Sequence, residues 1–284
     1  MKARRRLIAA VVGVLLLSTS AAGCDWPEGT RYVHQVFSNV DVTTNIPYRT
    51  TTTFQGQAIT LRLDIYQPRG DTKPRRPVMM WMHGGFWVGG DKSNMADWAR
   101  DSARRGYVGV SVQYRLRSSI DQFSAAAMDA YDDVAAAAQW LKDNAAQYRI
   151  DPNAIIAGGY SAGAINALNL VFLPPDRGPA VSPVDGAVSI AGMSFGPVRA
   201  GRDPVMMFNG TTDVLVPFAT AEGNCNESIR LGNICRPNVY QGQGHEIGGT
   251  QLADILPKAH DFVFEAILVP KGYLAEPGPL AAAA

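Results

Sequence analysis

The stretch Ala154-Ile-Ile-Ala-Gly-Gly-Tyr-Ser161-Ala-Gly-Ala164 decides the reading of this 284-residue chain. Ala154 to Ala157 is a short apolar run, which predicts a strand buried on both faces. From Ala162 to Phe172 no helix breaker occurs until Pro174, which predicts a helix. Between them, Gly159-Tyr-Ser-Ala-Gly163 spells G-x-S-x-G. A strand, a sharp turn and a helix in that order hold a serine in strained backbone with its hydroxyl exposed. The flanking glycines let strand and helix approach closely. The letters alone do not decide, because Gly192-Met-Ser-Phe-Gly196 spells the same pattern. That copy runs into Gly196-Pro-Val-Arg-Ala-Gly-Arg-Asp-Pro204, which cannot make a helix. Ser161 is therefore the candidate nucleophile. Ser194 is expected in a loop, where Met193 and Phe195 either line the site or serve only as structure.

Working outward, apolar strands and helical patterns alternate. Val78–Met82, Tyr107–Tyr114, Val184–Ile190, Val205–Phe208 and Asn238–Gln241 read as strands. Asn94–Arg105, Gln122–Asn144 and Gln251–Leu268 read as helices. Ile59–Tyr66 alternates at period two and is a half-buried strand. Asp151-Pro-Asn153 reads as a turn. The expected fold is α/β, a mostly parallel doubly wound sheet with helices on both faces and no large lid. The catalytic domain spans 55–270, after a leader with one or two edge strands over 24–54. A flexible tail, 271–284, follows.

A serine hydroxyl needs a base, and the base needs an orienting carboxylate. His245, in Gly244-His-Glu246, sits between the last strand and the closing helix. His260 lies mid-helix, on the surface or packed, and His34 precedes the core sheet. Asp213 follows the Val205–Phe208 strand, so it lies at the same sheet edge as Ser161. Asp185 and Asp203 lie at the wrong strand ends, and Glu222 and Glu227 fall in a segment read as irregular. His83-Gly-Gly-Phe-Trp87 follows the Val78–Met82 strand. Its glycines would let backbone N–H groups approach an oxyanion, with Gly85, Phe86 and Ala162 as donors. His83 then holds the loop, and Asp91 fixes its far side.

These motifs, in this order at these strand ends, resemble the α/β-hydrolase superfamily over about residues 55 to 268. The likeness is to carboxylesterases with an H-G-G-x-W or H-G-G-G motif, of the hormone-sensitive-lipase-like or feruloyl and acetyl esterase kinds. It implies a Ser161–His245–Asp213 triad cleaving carboxylic esters through an acyl-enzyme, with no cofactor or metal. An amidase or formamidase of the same fold would keep every one of these residues. A surface-binding lipoprotein without activity is the alternative of another class. The expected substrate is a small-molecule or polymer-linked ester, with Trp87, Tyr160, Met193 and Phe195 as contacts. Phe86 and Phe218 are further candidates for an apolar wall. Tyr160 either shapes the pocket or packs under the turn.

Net charge is +1 and no basic stripe occurs, so nucleic-acid partners are not expected. Lys2, Arg4, Arg5 and Arg6 precede the apolar run Leu7–Leu17, which is shorter than the about twenty residues that span a bilayer. Residues 1–23 therefore read as a signal peptide of an exported protein. Ala21-Ala-Gly-Cys24 resembles the bacterial lipoprotein box, which implies lipidation of Cys24 and a membrane anchor. Otherwise the same site suits an ordinary signal peptidase and a secreted product. Cys225 and Cys235 remain as a pair able to bridge in an oxidising compartment. There is no C-x-x-C or H-E-x-x-H metal pattern.

Overall fold

The computed structural model describes residues 26–173 and 182–280. The expected signal segment and Cys24 lie outside the described residues. In chain order the elements are β1 (Val40–Thr52), β2 (Ala58–Pro68), β3 (Arg76–Met82), α1 (Ala96–Arg104), β4 (Val108–Val112), α2 (Phe123–Asp143), α3 (Ala145–Tyr148) and β5 (Ile150–Tyr160). Then come α4 (Ala162–Phe172), β6 (Ala187–Ile190), β7 (Val205–Gly210), α5 (Phe218–Arg230), β8 (Cys235–Tyr240), α6 (Ile247–Thr250) and α7 (Leu252–Val263).

The strands form one sheet in the order β1-β2-β4-β3-β5-β6-β7-β8. β2 is antiparallel to β1 and β4, and the remaining pairs are parallel. Both faces are covered, which explains why the central strands read as unbroken apolar runs. In β3, Val78, Met80 and Met82 face the core beneath α2, α4 and α5. Met79 and Trp81 face the core beneath α1 and α7. Because the parallel strands run the same way, β3, β5, β6, β7 and β8 deliver their following loops to one edge.

The β5–α4 junction has the tight approach that its glycines predict. A Cβ on Gly163 would lie 2.1 Å from the Met82 carbonyl oxygen. One on Gly159 would lie 2.4 Å from the Gly163 backbone. All eleven residues of α4 are buried.

Several expectations are corrected. The Asp151–Asn153 turn lies inside β5, as an irregularity in register between the Arg76–Ile150 and Val78–Ile155 pairings. Asp151 still accepts a hydrogen bond from the Asn153 N–H at 3.0 Å. The segment carrying Glu222 and Glu227 is the helix α5. Its polar sequence buries only Ala221, Cys225 and Ser228, which leaves little apolar periodicity to read. Cys225 is bridged to Cys235, tying α5 to β8 across a sequence separation of 10.

The described parts of the leader and tail are docked rather than loose. Thr30, Arg31, Tyr32, Val33 and Val36 are buried. Arg31 donates to both Asp71 carboxylate oxygens, at 2.9 and 2.6 Å. The tail is held through Tyr273, whose hydroxyl donates to Asp151 at 2.7 Å. Gly278 N–H donates to the Gly29 carbonyl at 2.8 Å. These contacts gather where the parallel strands begin, away from Ser161. At the other end, the β1–β2 hairpin places Phe54 under the Arg117 guanidinium, 5.2 Å from the ring centroid. Arg117 N–H donates to the Trp87 carbonyl, so this hairpin borders the Ser161 edge.

His260 is a packing residue, fully buried between Tyr107 and Asp101. Burial, helped by the Arg105 charge and opposed by Asp101, pushes its pKa down to about 4. The unfolded chain therefore takes up this proton first, near pH 6.5. The stability is fully present above that pH and is lost as pH falls towards 4. We expect stability to fall across this window on account of His260. Urea unfolding at stepped pH should show a flatter profile in His260→Gln than in the native chain. An equally steep profile would contradict the assignment.

Candidate active site

Ser161 sits between β5 and α4 with φ +56° and ψ −120°, a strained conformation for a serine. The turn is fixed by Ser161 N–H donating to the Ile190 carbonyl at 2.9 Å. Its hydroxyl lies 2.8 Å from His245 Nε2. His245 Nδ1 lies 2.8 Å from Asp213 Oδ2. Asp213 Oδ1 accepts from the Leu215 and Val216 N–H groups, both at 2.9 Å. A carboxylate only accepts, so Nδ1 carries the proton and donates to Asp213. Nε2 is then free to accept from the Ser161 hydroxyl. The Asp213 side chain is fully buried and that of His245 nearly so.

Tyr160, left open between two readings, does both jobs. Its hydroxyl donates to the His245 carbonyl at 3.0 Å, and its ring lies 5.4 Å from the imidazole. The ring fills the space beside Gly248, where a Cβ would meet it at 2.4 Å. Burial raises the Tyr160 pKa, which keeps the hydroxyl a donor. Tyr160→Phe keeps the ring and loses the anchor on the loop that carries His245. A single hydrogen bond of about 1 kcal/mol predicts a loss in kcat of up to about tenfold with KM little changed. Steady-state kinetics check this; a change confined to KM would contradict it.

The loop after β3 bends sharply, with Gly85 at φ +116°, Phe86 at +54° and Trp87 at +60°. Gly85 is required there, since a Cβ would lie 2.3 Å from the Gly89 carbonyl oxygen. Among the described residues, the Gly85 and Phe86 N–H groups have no backbone or side-chain acceptor. Ala162 opens α4, which has no side-chain cap. His83 does not reach Ser161. It donates through Nδ1 to the Gly84 carbonyl at 2.7 Å and stacks on Tyr114 at 4.2 Å. Burial lowers its pKa and keeps it neutral. Asp91 accepts from Ser93 N–H at 2.9 Å and closes the next turn.

Two cavities meet at Ser161. One is lined by Gly84, Gly85, Phe86, Met95, Trp98 and Tyr160, with His245, Gly248 and Gly249 on its far side. The other is lined by Phe86, Trp87, Phe123, Ile165, Met193 and Phe195, together with Leu215 and Val216. Trp87, Tyr160, Met193 and Phe195 thus all stand at the site. Phe218 does not; it begins α5 beside the disulfide. Ser194 is also away from the chemistry, its hydroxyl donating to the Gly196 carbonyl. The reading from sequence missed Asn169, Asn209 and Asn224, which hold the 192–196 loop. A signal existed for Asn169, which with Asn166 is one of two amides in a helix otherwise apolar. Among the described residues, no cluster of three or more His, Cys, Asp or Glu side chains is placed to hold a metal.

Residues 118–259, half of the chain, match the family model described as Phospholipase/Carboxylesterase. That span contains Ser161, Asp213 and His245. The chain belongs to the phospholipase/carboxylesterase family. A second model, BD-FAE, matches residues 63–171 of this family member. Carboxylesterase 1C of Rattus norvegicus is 38% identical over 120 residues, covering 40% of this chain and 22% of the rat protein. The medium-chain fatty acyl-CoA hydrolase precursor of Anas platyrhynchos is 34% identical over 124 residues, 42% of this chain and 22% of its own. The chain thus spans about a fifth of the length of the curated relatives it matches. Among solved structures, a thermophilic esterase from Thermogutta terrifontis superposes with TM-score 0.68 at 24% identity, covering 82% of this chain and 95% of that one. The same esterase with butyrate bound gives 0.67 at 26% identity, over 82% and 97%.

Proposed function

We propose that this protein is a serine hydrolase that cleaves carboxylic esters through an acyl-enzyme. The observation that carries the reading is the unbroken hydrogen-bonded chain from Ser161 through His245 to Asp213, with 2.8 Å at both links. Ser161 Oγ attacks the ester carbonyl as His245 Nε2 takes its proton. Asp213 holds the imidazole tautomer and balances the charge that forms on it. The N–H groups of Gly85, Phe86 and Ala162 receive the oxyanion, aided by the positive end of α4. His245 then returns the proton to the departing alkoxide. Water, deprotonated by His245, releases the acid and restores Ser161.

The reading is tested with two butyrate esters of different alcohols in buffered methanol. A shared acyl-enzyme requires the same ratio of methyl butyrate to butyric acid from both. Ratios that differ between the two esters would contradict it. Export, with lipidation at Cys24, is proposed alongside. The Cys225–Cys235 bridge supports an oxidising compartment. Palmitate labelling that survives in Cys24→Ala would overturn the anchor.

A further inference from the structure

The second G-x-S-x-G stretch, Gly192 to Gly196, plays no part in the triad, yet the protein builds it with unusual care. Three asparagines from three different elements hold it. Asn224 of α5 accepts from the Ser194 N–H at 2.8 Å. Asn169 of α4 accepts from the Phe195 N–H at 3.2 Å. Asn209 of β7 donates to the Gly192 carbonyl at 3.1 Å. Asn169 and Asn209 are buried, so each bond is costly to leave unmade. The loop is a firm wall, and what it presents to Ser161 is Met193 and Phe195. Phe195 is backed in turn by Trp87 and Phe123, at ring distances of 5.7 and 6.1 Å.

The two cavities beside Ser161 differ in size and chemistry. The one walled by Met193 and Phe195 holds about 100 Å³ and is mainly apolar. The one containing His245 holds about 420 Å³ and is the more open. The protonated His245 must hand its proton to the departing alkoxide, so the alcohol portion has to lie on the His245 side. The acyl chain is left with the other side, among Trp87, Met193, Phe195 and Leu215. A volume of 100 Å³ is less than the about 150 Å³ cavity that takes a benzene ring, so it has room only for a short chain.

Resting on the serine-hydrolase reading above, we propose that the 192–196 loop is an acyl-chain stop. It confines the enzyme to esters with acyl groups of about four carbons or fewer, while bulk is accepted on the alcohol side. Phe195 and Met193 set the limit, and Asn169, Asn209 and Asn224 are positioning residues that keep the wall from yielding.

The test is a pair of isomers that differ only in the direction of the ester, benzyl butyrate and propyl phenylacetate. With rates normalised to hydroxide hydrolysis, kcat/KM should favour benzyl butyrate by about tenfold or more, since an ill-fitting group in a firm apolar pocket costs that much. Nitrophenyl butyrate should likewise exceed nitrophenyl octanoate. Phe195→Ala should move the preference towards octanoate, and Met193→Ala serves as the second variant in the same direction. Equal or reversed preference in the native enzyme overturns the acyl stop. So does a preference that neither variant moves. If neither isomer is hydrolysed and an organophosphate leaves Ser161 unmodified, it is the serine-hydrolase reading that fails instead.

Discussion

Ser161→Ala should lower kcat for nitrophenyl butyrate by about 10⁴-fold or more, with the fold intact. The Ser161 hydroxyl makes the bond to His245, and alanine keeps the Cβ in the same backbone turn. The Ser161 N–H bond to Ile190 is unaffected, so the turn should persist. Far-UV circular dichroism and the thermal midpoint should therefore match those of the native chain. The residual rate would come from the backbone donors and binding alone. Turnover within tenfold of the native rate would remove Ser161 from the chemistry.

Asp213→Asn should cost nearly as much, about 10³ to 10⁴ in kcat. The Leu215 and Val216 N–H groups both point at Asp213 Oδ1, so an asparagine must set its carbonyl oxygen there. Its NH₂ then faces His245 Nδ1, where the carboxylate had accepted. Nδ1 becomes an acceptor, Nε2 carries the proton, and the imidazole can no longer take the proton of Ser161. The loss should ease as pH rises and hydroxide substitutes for the base. A pH–rate profile parallel to the native one would contradict this account.

Much of this arrangement was legible in the sequence because local chemistry is strict there. A serine on a strained turn needs glycines on both sides, and Gly159 and Gly163 stand where a Cβ would collide with backbone. The strand before Ser161 and the unbroken helix after it separate this copy of G-x-S-x-G from the one at 192–196. His245 and Asp213 follow because parallel strands must deliver their loops to one edge. What was not legible depends on contacts between distant residues. α5 is polar and held by packing, a disulfide and the Asn224 bond rather than by periodicity. The tail near Glu276 carries proline and glycine, which spell a loose end, yet Arg31, Gly29 and Lys73 hold it. Met193 and Phe195 were legible as candidate contacts, but not what holds their loop, because its holders lie on α4, β7 and α5. Only folding shows that three amides converge on it.

The most direct test of the central claim is covalent. Paraoxon should inactivate this protein with a stoichiometry of about one per chain, because Ser161 joins a hydrogen-bonded base to an open cavity. Peptide mapping by mass spectrometry should place the diethylphosphoryl group on Ser161, and His245→Gln should slow the labelling sharply. A phosphoryl group on Ser194, or none on Ser161 after prolonged exposure, would contradict the account.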